Sequence, residues 1–384
     1  MAHEGENKAA DQGVREAVEQ SALRVIRAHG LADAHTPVML MVSGGSDSTA
    51  LAYVARALVD TGVLGPVAML HVNHRLRGAD ADDDALFVEQ LAQKLGFSLY
   101  LRSIDVAARA AASGENLEAC ARRLRYAAAF EALGELCREA GAPTSEGRLF
   151  TAHTADDRVE NFYMRSIVGT GPGGFRSMRY LNGPVARPFL EVGRADLRAY
   201  IEARAETGLP VARDDAGALW REDATNEHTD RFRAYVRKRL VPVAKERNPH
   251  LLPVLTRTMN LIADEDDMLA HMADDLAERT VAWIAPEEVA AGDAGSGCVL
   301  APSLGRAERP LARRVVVGVL KDIRGPEERV DAADVEAVLD AFGPDGRPRG
   351  GYVRNIQGNL AVSANKRGVR IEPMQAFRAR RKRG

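Results

Sequence analysis

Apolar positions along the chain switch repeatedly between two spacings. Continuous runs at 38–42 (VMLMV), 67–72 (VAMLHV), 97–104 (FSLYLRSI) and 148–153 (RLFTAH) predict short, buried strands. Apolar residues at three- and four-residue intervals over 14–29, 48–60, 82–95, 116–139 and 156–168 predict helices. Alternation of this kind predicts an α/β fold with a doubly wound parallel sheet, covered by helices on both faces. The turn residues of 141-GAPTSEG-147 mark a loop. After about residue 230 the pattern changes. Long helical stretches at 233–247 and 250–281 lead to a Gly/Ala/Asp segment at 286–297 and helical patterns at 308–321 and 331–342. Alternation at 351–371 then suggests short strands. A boundary near 225–245 follows, giving a disordered lead-in at 1–13, a first domain at 14–230 and a smaller helical/α+β region at 231–384. No internal repeat or long low-complexity tract is present.

Composition changes this picture little. A length of 384 residues, with 46% hydrophobic and 28% charged, suits a globular protein of two or three domains. No run of eighteen apolar residues indicates a membrane span. The start, MAHEGENKAADQG, lacks the basic-then-apolar layout of a secretion signal. Cys120, Cys137 and Cys298 are odd in number, far apart and outside any C-x-x-C, so neither a disulfide framework nor a zinc knuckle is expected, and a reducing cytoplasm fits.

Charge distribution is more informative than the net charge of −2. Residues 79–84 (ADADDD) read as an acidic loop. Residues 231–247 carry Arg231, Arg233, Arg237, Lys238, Arg239, Lys245 and Arg247 against Glu246, and the tail 378-RARRKRG-384 is strongly basic. Such clusters can meet phosphates; a solvated helix face with a disordered tail reads the same residues more plainly.

The turn Ser43-Gly44-Gly45-Ser46-Asp47-Ser48 joins the first strand to the helix at 48–60. In an open parallel sheet, that is where ligands bind. Adjacent glycines permit positive φ and close approach of a ligand. The helix that follows turns its first amides, and the positive end of its dipole, toward whatever sits there. A phosphate cradle results. The turn matches neither G-x-x-x-x-G-K-[ST] nor G-x-G-x-x-G. Asp47 would repel phosphate unless it holds a divalent cation that bridges phosphate oxygens. The plainer reading is that Ser46 or Asp47 caps the helix.

SGGSDS resembles the SGGxDS loop of the N-type ATP pyrophosphatases, which split ATP between its α and β phosphates and adenylate a substrate. The resemblance implies an adenine nucleotide alpha hydrolase-like fold, with Ser43, Gly44, Gly45, Ser46, Asp47 and Ser48 binding the pyrophosphate end of ATP. Further stretches resemble the tRNA(Ile)-lysidine synthetases within that group. In 71-HVNHRLR-77, His71, Asn73, His74 and Arg77 are implied to line the nucleotide pocket; a polar strand-end loop is the simpler reading, and zinc spacing is lacking. In 116-NLEACARRLRYAAAF-130, Leu117, Ala121, Leu124 and Ala128 form an apolar stripe, with Glu118, Arg122 and Arg125 on a polar side. Glu118–Arg122 can be a helix salt bridge. The family pattern implies that Arg122 or Arg125 contacts nucleotide phosphate or the adenylated intermediate.

In 151-TAHTADDRVEN-161 the family pattern is HHxDDQxET; this chain has Thr154, Arg158 and Asn161 where the pattern has His, Gln and Thr. Asp156, Asp157 and Glu160 fall in the first turn and a half of a helix, where they repel one another unless a cation is near or the dipole favours them. The resemblance implies that His153 and Glu160 hold lysine and that the Asp pair takes Mg2+, with Asp47 and Asp157 as metal ligands, or orients the reacting groups. In 222-EDATNEHTDRFRAYVRKRLVP-242, Asp223, Thr225, Asn226, Arg233, Arg237 and Pro242 match the family register, while Ala234 and His228 depart from it. Asp223 and Asn226 are expected to cap this helix, and Arg233 and Arg237 to face tRNA phosphates. The segments 169-GTGPGGFRSM-178 and 187-RPFL-190 also match, the latter as a short strand. The resemblance covers residues 36–245 with five ordered motifs.

The implied reaction joins L-lysine to C2 of the wobble cytidine of tRNA(Ile) with a CAU anticodon, using ATP and Mg2+. Asp47, Arg122, Arg125, His153, Asp156 and Asp157 are the implied catalytic residues, and His153 or Glu160 takes the proton from the lysine amine. The rivals are a tRNA thiolase, which usually carries sulfur or an Fe–S cluster on cysteines, an ammonia-fed amide ligase, and a non-catalytic nucleic-acid-binding relative.

Overall fold

The computed structural model describes residues 2–76, 79–222, 232–284, 297–325 and 328–382, with the side chains of 2–9 and 79 left aside. The chain forms two compact units, 1–262 and 263–384.

The first unit is built on a six-stranded sheet ordered β3-β2-β1-β4-β6-β5. Its strands are β1 (Val38–Met41), β2 (Val67–Asn73), β3 (Ser98–Ser103), β4 (Arg148–Phe150), β5 (Leu181–Asn182) and β6 (Val185–Ala186). All neighbours run parallel except β5, which is antiparallel to β6. The helices are α1 (Ala2–Ala28), α2 (Ser46–Asp60), α3 (Ala79–Leu95), α4 (Val106–Ser113), α5 (Leu117–Glu139), α6 (Ala155–Val168) and α7 (Arg194–Glu206). Then come α8 (Phe232–Tyr235), a π turn at Val236–Leu240, α9 (Val241–Arg247) and α10 (Leu251–Thr280).

Strand alternation divides the core. Val38 and Leu40 pack with Ile26, Leu51, Phe87 and Tyr200 from α1, α2, α3 and α7. Met39, between them in sequence, packs with Ala129, Leu133 and Leu136 of α5 on the other face. Both faces are therefore covered, which explains why the strands read as continuous apolar runs. β1 has β2 on one side and β4 on the other. The connections leaving β1 and β4 thus diverge at a topological switch point, the place where open α/β sheets bind ligands in the crevice beyond their strand ends.

The second unit has an antiparallel sheet ordered β7-β8-β11-β10-β9, made of β7 (Val281–Trp283), β8 (Cys298–Leu300), β9 (Val353–Ile356), β10 (Leu360–Asn365) and β11 (Gly368–Pro373). Val315, Val316, Val319 and Leu320 of α11 (Arg309–Arg324) and Val335, Val338 and Leu339 of α12 (Ala332–Leu339) share one apolar cluster with Leu300, Val362, Val369 and Ile371. α13 (Met374–Lys382) ends the described chain.

Several elements differ from expectation. The stretch taken as a disordered lead-in at 1–13 is helical from Ala2. The unit boundary, expected near 225–245, falls after Ile262, inside α10, because a continuous amphipathic helix carries no composition break. The acidic stretch 79–84 opens α3 rather than forming a loop, a position the helix dipole favours. Residues 188–190 are a turn, and the strand precedes them at Val185–Ala186. α4 and α7 were not foreseen: α4 is short and alanine-rich, and the pattern of α7 is broken by arginines.

Candidate active site

The loop after β1 is braced from within. Ser43 N donates to Ser48 Oγ at 3.1 Å, Ser48 Oγ donates to the Gly45 carbonyl at 3.1 Å, and Thr49 Oγ1 donates to the Gly44 carbonyl at 3.1 Å. Gly45 is the N-cap residue of α2, and no side chain caps that helix. The capping explanation for Ser46 and Asp47 therefore does not apply; Ser46 Oγ instead bonds Asp47 Oδ1 at 3.1 Å. The two glycines are not equivalent. Gly44 has φ +95°, which side-chain-bearing residues rarely adopt, whereas Gly45 is extended with φ −68°. A Cβ on Gly45 would meet nothing closer than 3.8 Å, so its bareness leaves room in front of the helix terminus.

The loop is also held from outside by a residue that sequence reasoning missed. Arg221 N donates to the Gly44 carbonyl at 2.9 Å. Its guanidinium reaches Asp84 at 2.9 Å, Asp214 at 3.3 Å and Asp83 at 3.7 Å. The N-terminal part of α3 thus anchors the arginine that fastens the loop. His71, in β2, places Nδ1 2.9 Å from the Val42 carbonyl just before the loop, and burial lowers its pKa. Asn73 Nδ2 donates to Asp82 Oδ1 at 3.0 Å and fixes the turn into α3. Arg77, Asp223, Thr225, Asn226 and His228 lie outside the described residues.

α6 starts on the other side of the switch point. Thr154, which departs from the family pattern, is its N-cap in a reciprocal capping box. Thr154 Oγ1 accepts from Asp157 N at 3.3 Å, and Asp157 Oδ2 accepts from Thr154 N at 2.8 Å. Asp157 Oδ1 remains directed into the crevice, where Arg194 Nη2 and Arg233 Nη2 lie at 3.0 and 2.9 Å. Asp156 accepts from Arg194 N at 2.8 Å and pairs with Lys245 Nζ at 2.8 Å, so it fixes the entry of α7. Glu160, only 1% exposed, receives Arg233 Nε at 2.9 Å and Arg237 Nε at 2.6 Å, with Arg194 Nη1 at 3.5 Å. Asp47 Oδ2 lies 3.1 Å from Arg194 Nε. One guanidinium, Arg194, therefore touches the acid of the loop and two acids of α6.

This arrangement corrects the expectation for Arg233 and Arg237. Their guanidiniums turn inward onto Glu160 and Asp157 instead of facing outward for tRNA phosphates. Buried carboxylates this close together need compensating charge, and α8 with the following π turn supplies it. Electrostatics differ across the cluster. Burial pushes the Asp47 carboxyl up, and the single arginine Arg194 does not offset it. Burial opposes ionisation of Asp157 too, but Arg194 and Arg233 hold it below the usual range.

His153 Nδ1 lies 2.9 Å from Thr151 Oγ1. Burial brings its pKa down to about 4, with nearby Arg187, Arg233 and Arg125 acting in the same direction and Asp157 against it. Arg122 and Arg125 both flank the Tyr126 ring, at 5.0 and 5.9 Å from its centroid. The plainer alternative of a Glu118–Arg122 salt bridge is not seen among the described residues, where Arg123 pairs with Glu115 near this end of α5. Arg125 Nε and Arg187 Nε are buried without hydrogen-bond partners, as are several other arginine Nε atoms of the chain, and burial lowers both pKa values. Arg158 is 1% exposed and its Nη atoms bond Tyr180 and Asn260, so this departure from the pattern is built into the packing of α6.

A cation also fits. Arg194 shows that Asp47 and Asp157 converge on one positively charged group. Among the described residues no three His, Cys, Asp or Glu side chains form a metal cage. A pair of carboxylates suits Mg2+, which keeps several waters and takes further oxygens from phosphates.

Comparison with known proteins agrees with this geometry. The sequence pattern of the PP-loop domain matches residues 14–244. The chain is 31% identical over 312 residues to a tRNA(Ile)-lysidine synthase of Geobacter sulfurreducens, covering 81% of this chain and 60% of that protein. It is 37% identical over 238 residues to the Thermus thermophilus protein of that name, covering 62% of this chain and 41% of the relative. The Chlorobaculum tepidum protein of the same name is 35% identical over 221 residues, covering 57% and 60% respectively. The chain therefore spans about two-fifths to three-fifths of the length of these relatives. With the braced SGGSDS loop, the switch-point crevice and the match over residues 14–244, the chain belongs to the PP-loop domain family.

Proposed function

We propose that the protein joins L-lysine to C2 of the wobble cytidine of a tRNA(Ile) precursor with a CAU anticodon, consuming ATP and releasing AMP and pyrophosphate. The carrying observation is the convergence of the Ser43–Ser48 loop and the Asp47, Asp157 and Glu160 carboxylates on one guanidinium. An anion cradle and a cation pocket then lie side by side, as a reaction between a nucleoside triphosphate and an amino acid requires.

In this reading the uncapped start of α2 receives the β and γ phosphates. The cytidine C2 oxygen attacks the α-phosphorus while the bond to the β-phosphate oxygen breaks, and pyrophosphate leaves. Arg122 and Arg125 project from α5, and the unpartnered Nε of Arg125 is available to the α-phosphoryl oxygens as charge develops there. Mg2+, held by Asp47 and Asp157, would offset charge on the pyrophosphate. Adenylation makes the C2 oxygen a good leaving group. The lysine α- or ε-amine then bonds to C2, the C2–O bond breaks and AMP departs. Glu160 and His153 bind lysine, and one of the two accepts the amine proton; the lowered pKa of His153 makes it a weaker base than a free imidazole.

Nothing favours sulfur transfer. Cys120, Cys137 and Cys298 are all fully buried, each in a different apolar cluster. The experiment is transfer of labelled lysine to transcribed tRNA(Ile) with ATP present. Labelling that requires ATP and is lost in Asp47→Ala supports the reading; full activity of Asp47→Ala refutes it.

A further inference from the structure

The loop that would receive pyrophosphate contains an acid and no base. Pyrophosphate leaving ATP carries several negative charges, and one divalent cation neutralises two of them. Cations must therefore come from elsewhere, and α7 faces the loop with two. Arg194 Nε lies 3.1 Å from Asp47 Oδ2, and one turn later Arg198 Nε lies 3.5 Å from Ser46 Oγ. The start of α7 is fixed by the bond from Arg194 N to Asp156 at 2.8 Å, so these side chains pivot on an anchored backbone. Arg198 is held from behind by the Trp220 ring, 5.5 Å away, and by Glu222 at 3.2 Å.

Arg194 also occupies the position that a metal needs, because it bonds the two carboxylates best placed to hold one. The charges balance: Asp47, Asp157 and Glu160 face Arg194, Arg233 and Arg237. A divalent cation that takes Asp47 and Asp157 makes Arg194 redundant there, because Arg233 and Arg237 remain on Asp157 and Glu160.

Building on the proposed function, we propose that Arg194 is an exchangeable counter-ion. It neutralises Asp47 and Asp157 until a divalent cation takes those carboxylates, and its released guanidinium then joins Arg198 in binding pyrophosphate. The exchange needs only rotation about side-chain bonds, since the loop and the acids are contacts of the same guanidinium. It keeps the buried acids compensated throughout, which matters because an uncompensated buried carboxylate is costly. The fork geometry of arginine also suits both partners, carboxylate and phosphate.

The test separates two affinities. Mn2+ binding to the purified full chain without nucleotide is followed by electron paramagnetic resonance, and pyrophosphate binding with saturating Mg2+ is followed by calorimetry. Arg194→Met removes the competitor for the carboxylates, so Mn2+ should bind about tenfold tighter while pyrophosphate binds about tenfold weaker. Arg198→Met, which touches no acid of the cluster, should weaken pyrophosphate and leave Mn2+ unchanged. A merely structural role for Arg194 would weaken both. Weaker or unchanged Mn2+ binding in Arg194→Met, or unchanged pyrophosphate binding, overturns the proposal. If Arg194→Met does not fold, Arg194→Lys serves in its place, with the same two signs expected at smaller amplitude. Neither assay contains tRNA or lysine, so failure here leaves the lysine-transfer reading intact, and failure of lysine transfer leaves these affinities to be judged alone.

Discussion

Arg237 Nε lies 2.6 Å from Glu160 Oε1, on a carboxylate that is 1% exposed. With Arg233 on the other oxygen, Glu160 is enclosed by the type of charge that a lysine side chain or amine would bring. Replacing Glu160 by Gln removes the anion and leaves Arg233 and Arg237 facing each other. Loss of one partner from a buried pair costs about 3–5 kcal/mol. The two arginines are 43% and 32% exposed at the side chain, so water screens them and about 2 kcal/mol is expected. Urea unfolding checks this. In the same variant the KM for lysine should rise at least tenfold while that for ATP stays unchanged.

His153 gives the protein a pH dependence of defined sign. Its pKa falls from 6.5 to about 4 on folding, chiefly through burial. As pH falls below 6.5, the unfolded chain takes up a proton that the folded chain refuses until about 4. Stability contributed by neutral His153 is therefore fully present above 6.5 and is lost through that window. His153→Gln should show a shallower loss of stability between pH 6.5 and 4 than the parent, measured as the difference between their denaturation midpoints across that range. Parallel curves would contradict the burial of this imidazole.

The two glycines of the loop should separate folding from ligand binding. Gly44→Ala forces a side chain to φ +95° and brings it 3.4 Å from Arg221 Cγ, so a loss of about 1–2 kcal/mol is expected. Gly45→Ala has an ordinary φ and only ordinary contacts for the new methyl, the nearest at 3.8 Å, so its melting temperature should match the parent. If the start of α2 is where phosphate sits, that same methyl blocks it, and ATP binding by Gly45→Ala should fall at least tenfold in calorimetry.

Arg221 fastens the loop without reaching the crevice acids, which makes it a positioning residue. Arg221→Met keeps the backbone bond to Gly44 but releases the side chain from Asp84 and Asp214. The expected result is a KM for ATP raised about fivefold with the KM for lysine unchanged, since small misplacements of a binding loop are costly. Asp84→Asn should reproduce part of the effect, and the double variant should be no worse than Arg221→Met alone.

The parallel sheet was legible because β1, β2 and β4 are buried on both faces and so read as unbroken apolar runs. The site loops were legible for a related reason: they follow those strands directly, where the switch point places them together. What the sequence hid are long-range pairings. Arg194 lies 147 residues from Asp47, and Arg221 lies 137 from Asp84; a lone arginine in an amphipathic or loop segment has no local pattern that announces its partner. The inward turn of Arg233 and Arg237 was hidden likewise, because a basic helix reads as an outward phosphate-binding face until the acids it must neutralise are located. Thr154 and Arg158 were departures from a motif in the sequence; in three dimensions one caps α6 and the other is packed against Tyr180.

Lysine transfer leaves a covalent product on the tRNA. Transcribed tRNA(Ile) is incubated with the protein, ATP, Mg2+ and lysine, then digested to nucleosides for mass spectrometry. The expected product is a cytidine heavier by one lysyl residue, formed only when ATP and lysine are both present and confined to the wobble position. A cytidine of unchanged mass after ATP has been turned over to AMP and pyrophosphate, or a thiolated nucleoside in its place, would contradict it.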